Sequence, residues 1–267
     1  MNKIIVLFIY FFLFLNFLKT NCLKQDGCHH ALNDRPVIGI LSQPASSDKY
    51  KEYGYQYIAA SYVKYVESAG ARVVPILYDQ DEDTLRKLLN SINGILLPGG
   101  GVYFDEQPIY NKSLYLIWNY VIESNKRGDY FPLWGTCLGF EEIVSVAANT
   151  FDVLTSFNAS NYSIPLNLTD QVLNLSSNSL LFKEMPLEML KTISNEPITM
   201  NNHRMGLSVE TFNNFTSLHQ FFDILSLNDD KSGNTFISVI ESKEYPIYAV
   251  MFHPEKPLFE WYEKEDI

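Results

Sequence analysis

Apolar runs that read as strands alternate with amphipathic stretches that read as helices four times in about 115 residues, and nothing else in the chain constrains the fold as tightly. "RPVIGILSQP" gives a buried strand at Val37 to Leu41. "YGYQYIAASYVKYVESAG" reads as a helix, because Tyr57, Ile58, Tyr62, Tyr65 and Val66 recur at helical spacing and Gly70 closes it. "ARVVPIL" is a second strand, and "DEDTLRKLLNSI" a helix whose acidic first turn suits the macrodipole. "NGILLPGGG" is a third strand running into three glycines, followed by a helix over residues 107–127. "YFPLWG" is a fourth strand, and "LGFEEIVSVAAN" the helix after it. Such alternation specifies βαβ units, hence an α/β fold with a mostly parallel sheet covered by helices on both faces. Reactive groups in such sheets gather at the carboxyl ends of the strands, where both "PGGG" and "GTCLG" fall.

The second half is less regular. "SIPLNLT", "DILSLN", "TFISVIES" and "PIYAVMF" read as strands, with the turn-forming "DDKSGN" (229–234) joining two of them as a hairpin. At 46% hydrophobic residues the chain can fill a large core. Its net charge of −11 argues against nucleic acid or an acidic membrane surface as the main partner.

The first residues carry Lys3 and then an apolar run from Ile4 to Leu18, as in a secretory signal peptide, with cleavage expected between Thr20 and Leu23. The run is short for a membrane span, so a retained anchor is the weaker reading. The expected organisation is a signal peptide at 1–22, a leader at 23–34 and one domain at 35–267. Six Asn-x-Ser/Thr sequons, at Asn111, Asn158, Asn161, Asn167, Asn174 and Asn214, agree with a glycosylated protein of the secretory route. Their crowding at residues 158–176 implies an exposed segment. Of three cysteines, Cys22 and Cys28 can pair if Cys22 survives cleavage, which leaves Cys137 over.

Cys137 follows a strand and opens a helix, flanked by Gly135 and Gly139. This is a nucleophile elbow in its G-x-C-x-G form. A helix N-terminus favours thiolate, and the amide of Leu138 can face a developing oxyanion. The plainer reading, a buried inert thiol at a tight turn, stays open. A thiolate nucleophile needs a base. His29 and His30 lie in the leader, His219 looks structural, and His203 in "NNHRMGLS" reads equally as a loop histidine. His253 ends a strand and Glu255 follows two residues later, so the carboxylate can hold the imidazole in one tautomer. "HPE" is also what a polar turn looks like. "LLPGGG" offers a second oxyanion donor at Gly100, and lacks the Lys-Ser/Thr ending of a phosphate loop. No Cys/His cluster has zinc spacing, and no metal or organic cofactor is expected.

In the order PGG, G-x-C-x-G, HPE these pieces resemble the class I glutamine amidotransferase-like (flavodoxin-like) superfamily, a three-layer sandwich. "GDYFPLWGTCLGFEE" and "YPIYAVMFHPEK", with "SINGILLPGG" and the segments around Val37 and Tyr62, resemble the gamma-glutamyl hydrolase family, peptidase family C26, from about Arg35 to Trp261. The resemblance implies a secreted, lysosomal or vacuolar cysteine peptidase acting on small poly-gamma-glutamylated folates. It implies Cys137 as nucleophile, His253 as base, Glu255 as the orienting carboxylate and His203 as a substrate-binding residue. A homodimer is compatible with it. An anionic substrate calls for a cation, with Arg204, Lys256 and Lys49 as candidates. Two departures stand out. Met251 and Phe252 replace the family's usual Gln-Trp, and the chain stops at Ile267 where the family continues into another helix. The alternatives are a folate-polyglutamate-binding protein impaired by that short end, and a glutaminase, which the secretory signals oppose.

Overall fold

A computed structural model describes residues 33–45, 51–173 and 179–261. The expected signal peptide, Cys22, Cys28, His29, His30, Lys49, Asn174 and residues 262–267 lie outside the described residues. The first half runs β1 (Val37–Leu41), β2 (Gln43–Pro44), β3 (Gln56–Tyr57), α1 (Ala60–Ser68), β4 (Arg72–Ile76), α2 (Glu82–Leu89), β5 (Gly94–Leu97), a 3-10 turn (Phe104–Glu106), α3 (Pro108–Lys126), β6 (Leu133–Thr136) and α4 (Leu138–Ala148). The second half runs β7 (Thr155–Ile164), α5 (Asp170–Leu173), α6 (Leu187–Asn195), β8 (Thr199–Gly206), α7 (Val209–Asn214), α8 (Thr216–Phe221), β9 (Phe222–Asp229), β10 (Thr235–Ser242), β11 (Ile247–Val250) and α9 (Lys256–Phe259).

Seven strands form the central sheet in the order β4-β1-β5-β6-β11-β10-β9. The first five are mutually parallel, and β10 runs antiparallel to both its neighbours. The inner parallel strands β1, β5, β6 and β11 are buried on both faces, which is why they read as unbroken apolar runs rather than alternating ones. One face packs Leu85, Leu114, Ile117, Phe140 and Ile143 of α2, α3 and α4; the other packs Tyr62, Tyr65 and Val66 of α1 with Met189 and Ile193 of α6. Three layers result, as the alternation predicts. Asp81 caps α2 by accepting from Thr84 N–H at 3.0 Å. Pro75 sits in the edge strand β4, where a missing N–H is harmless.

Three expectations need correction. The predicted helix over Tyr57 and Ile58 begins only at Ala60, and Tyr57 belongs instead to a two-residue strand paired with Gln43. "SIPLNLT" is not a strand of its own: β7 ends at Ile164, and Leu168 makes one isolated bridge to Ser226. His203 lies not in a loop but on β8, which pairs antiparallel with β7 in a separate ribbon. The predicted hairpin at 229–234 is present, with Asp230 accepting from Ser232 and Asn234 N–H at 2.8 and 2.9 Å.

Candidate active site

The strand order sets β5, β6 and β11 side by side, so the loops after them, bearing Gly99–Gly100, Cys137 and His253, open at one edge of the sheet. At the end of β6 the chain turns straight into α4. Cys137 takes φ 52° and ψ −103°, a conformation costly for a residue with a Cβ. It is held there by its N–H, which donates to the Val250 carbonyl at 2.8 Å. Its own carbonyl accepts from Phe140 and Glu141 N–H at 2.9 and 3.1 Å. The flanking glycines have a packing reason. A Cβ at Gly135 would strike the Gly139 carbonyl, and one at Gly139 the Leu97 carbonyl of β5. The helix thus lies flush on the sheet, with Cys137 at its N-terminus and 4% exposed.

His253 and Glu255 converge on the same point. The Nδ1–H of His253 donates to Glu255 Oε1 at 2.7 Å, both side chains being buried. Nε2 is left for the thiol. Burial acts to push the imidazole's pKa down, but the charges of Cys137 and Glu255 and hydrogen bonds to both outweigh it and raise it to about 10. His253 N–H also donates to the Met200 carbonyl at 2.7 Å, which ties the β8 ribbon to the site.

Two further residues contribute, neither of them marked as functional by any local sequence signal. Tyr62 of α1 is buried; its hydroxyl accepts from Gly99 N–H at 2.7 Å and lies 3.2 Å from His253 Nδ1. Burial, then the nearby charge of Glu255, holds its pKa well above the ordinary phenol value, so it stays a neutral O–H group. Gln43 donates from Nε2 to the carbonyls of Pro98 and Gly99 at 3.1 and 3.2 Å, fixing the glycine loop. A Cβ at Gly99 would stand 2.6 Å from His253 Cε1 and 3.2 Å from Cys137 Cβ. Only glycine fits there.

Cys137, Leu138 and Gly100 all front a cleft of about 850 Å³. Its walls include Asp105 and Glu106 after the glycine loop, Asp152 after α4, and His203 and Arg204 from the β8 ribbon. His203 is 4% exposed, with Nδ1 2.9 Å from the Met205 carbonyl and its ring edge-on to Phe236. Burial lowers its pKa to about 4, so near neutrality it is an uncharged group in the cleft wall. Of the three candidate cations, Arg204 lines the cleft, whereas Lys256 is paired with Glu260 at 2.6 Å.

The sequon residues Asn158, Asn161, Asn167 and Asn214 are exposed. Asn111 is half-buried, and its amide donates to the Phe104 carbonyl at 2.7 Å. Among the described residues no group of three or more His, Cys, Asp or Glu side chains is placed to hold a metal ion, and no helix is long and apolar enough to cross a membrane.

Comparison with known proteins gives the chain relatives along most of its length. Gamma-glutamyl hydrolase B of Dictyostelium discoideum is 54% identical over 265 residues, covering 99% of this chain and 73% of that protein. The human gamma-glutamyl hydrolase is 44% identical over 239 residues, 90% of this chain and 73% of that one. Among solved structures, a glutamine amido transferase from Methylobacillus flagellatus aligns over 82% of this chain and 70% of its own at a TM-score of 0.40 and 10% identity. The family model for peptidase C26 matches residues 36–255, a span that takes in the elbow, the glycine loop and both members of the His253–Glu255 pair. The chain belongs to the peptidase C26 family.

Proposed function

We propose that this protein is a cysteine-type hydrolase that cleaves gamma-glutamyl bonds of folylpoly-gamma-glutamates, with Cys137 as nucleophile. The observation that carries the mechanism is the strained Cys137 beside an imidazole whose Nδ1 is held at 2.7 Å by a fully buried carboxylate. With Nδ1–H committed to Glu255, Nε2 serves the thiol, and a raised His253 pKa favours the imidazolium, the proton donor that the leaving amine needs.

The thiolate attacks the gamma-carbonyl carbon, forming the C–S bond and moving the carbonyl electron pair onto oxygen. The amides of Leu138 and Gly100 receive that oxyanion, each worth roughly 3 kcal/mol by analogy with measured donors. Collapse expels the amine, which takes its proton from His253 Nε2. A water then gives a proton to the neutral imidazole and attacks the thioester, and Cys137 leaves as thiolate. Arg204 supplies the positive charge that an anionic substrate seeks in a cleft otherwise rich in carboxylates. The apolar N-terminal run and the exposed sequon asparagines support a secreted, lysosomal or vacuolar setting, with those asparagines as glycan carriers.

Incubation of pure protein with folate pentaglutamate at pH 5 and pH 7 tests the reading. Wild type should release shortened folates and glutamate or its gamma-linked oligomers, and Cys137→Ala should bind the substrate without cleaving it. Binding by wild type with no product would instead support a non-catalytic folate-polyglutamate receptor, and ammonia release from free glutamine a glutaminase.

A further inference from the structure

Gln43 stands two residues past β1, and β1 lies beside β5 in the sheet, so its side chain reaches the glycine loop that leaves β5. It is 1% exposed. Its Nε2 group donates to two successive carbonyls, Pro98 at 3.1 Å and Gly99 at 3.2 Å, which commits both of its hydrogens. Oε1 accepts from the Tyr57 hydroxyl at 3.3 Å, and the pairing of Gln43 with Tyr57 between β2 and β3 fixes the backbone beneath. The carboxamide also packs against Gly100, where a Cβ would overlap Oε1.

Two successive carbonyls on one donor set the direction of the N–H groups that follow them. In a trans peptide the C=O and N–H of one plane point opposite ways. With the Pro98 carbonyl on Gln43, the Gly99 N–H must face away, and it donates to the Tyr62 hydroxyl at 2.7 Å, beside His253. By the same geometry the Gly99 carbonyl on Gln43 turns the Gly100 N–H away from Gln43. Among the described residues that N–H has no hydrogen-bond partner, and Gly100 fronts the cleft with Cys137 and Leu138. Two consecutive N–H groups on one side make a concavity suited to an anion.

The direction needs enforcing. Glycine has no Cβ to bar rotation, so the Gly99–Gly100 peptide has little steric barrier to turning over. Turned over, it would present its carbonyl oxygen where negative charge develops, and the second oxyanion donor would become a repelling acceptor. We infer that Gln43 is the positioning residue for this donor: its carboxamide holds the peptide with the Gly100 N–H toward the oxyanion. The inference rests on the hydrolase reading and adds to it the side chain that sets the hole. Gln43 lies behind the loop rather than in the cleft wall. Its loss should therefore weaken carbonyl chemistry and leave thiol chemistry intact.

Gln43→Met keeps the length of the side chain and removes both donors. Its kcat/KM for a chromogenic gamma-glutamyl amide should fall about a hundredfold, the effect of one lost oxyanion donor. Alkylation of Cys137 by iodoacetamide forms a C–S bond at a methylene carbon as iodide leaves. No oxyanion develops, so its rate should stay within about twofold of wild type. Gln43→Glu has no donor when ionised and one when protonated, so its kcat/KM relative to wild type should rise about tenfold from pH 8 to pH 5. In wild type, with no variant required, both Nε2 protons of Gln43 should exchange with solvent as slowly as core amides. Parallel loss of alkylation and turnover would mark Gln43 as a general support of the fold and overturns the inference. So does full turnover by Gln43→Met, a pH-independent ratio for Gln43→Glu, or free exchange of the wild-type Nε2 protons. Each of those outcomes leaves the hydrolase reading standing; no turnover by wild type sinks that reading and this inference with it.

Discussion

Glu255→Gln tests how the site holds His253. The side chain is fully buried and isosteric with glutamine, so packing is retained. What changes is the 2.7 Å bond from Nδ1–H, which loses its ionised acceptor. A hydrogen bond to a charged group contributes about 1.5–3 kcal/mol and a neutral one about 0.5–1.5, so the imidazolium loses roughly 1–1.5 kcal/mol of stabilisation. At about 1.36 kcal/mol per pKa unit, the pKa of His253 should fall by about one unit from its value near 10. The alkaline limb of kcat/KM against pH reports that group, because the leaving amine needs its proton. It should move to lower pH by about one unit, with the maximal rate reduced roughly tenfold or more as the tautomer loosens. The sign for stability follows from the same bond. A histidine whose folded pKa is raised adds stability below about 6.5 that is lost as pH rises toward 10, and the variant should lose part of that difference. An alkaline limb that stays in place, or moves upward, would refute the assignment of Glu255 as the partner that sustains the imidazolium.

Other perturbations reach the scaffold. Glu142 is fully buried, bonded to the Tyr110 hydroxyl, and its second oxygen has no partner; burial first, then the charge of Glu141, drives its pKa well above the ordinary value. The folded state therefore keeps a proton that the unfolded chain loses above about pH 4.5, and stability should fall as pH rises from there. Glu142→Gln should flatten that decline and stabilise the protein at pH 7–8 in denaturant titrations; two parallel curves would contradict this. Gly139→Ala should destabilise by about 1–3 kcal/mol despite alanine's better helix propensity, because the added methyl meets the Leu97 carbonyl. Activity should drop further than stability as the elbow lifts off β5, and a stabilised, fully active Gly139→Ala protein would show that the close approach has no role.

Much of the site was legible because its signals are local. A strand, an elbow glycine, a cysteine and a helix follow one another within "LWGTCLGFEE", and the parallel order then brings the PGGG and HPE loops alongside. The β7–β8 ribbon is not legible in the sequence, for a physical reason. Its pairing shifts register twice between Ser156 and Tyr162, and Asn161 has φ 48°, so the two-residue alternation that marks a strand is broken. With the ribbon went the evidence that His203 is a wall residue rather than a loop histidine. Tyr62 looked like one more core aromatic at helical spacing, since nothing local says that its hydroxyl meets Gly99 and His253. Gln43 is hidden likewise, because it acts 55 residues away in sequence, at Pro98.

The most direct test of the central claim is to trap the acyl-enzyme. Wild type mixed with a gamma-glutamyl substrate and quenched in acid within the first turnover should gain the mass of one acyl group, located by peptide mapping on Cys137 and released by hydroxylamine as a thioester. The same experiment with His253→Ala should show little or no adduct. An adduct on another residue, or steady turnover with Cys137 unmodified and Cys137→Ala still active, would contradict the account.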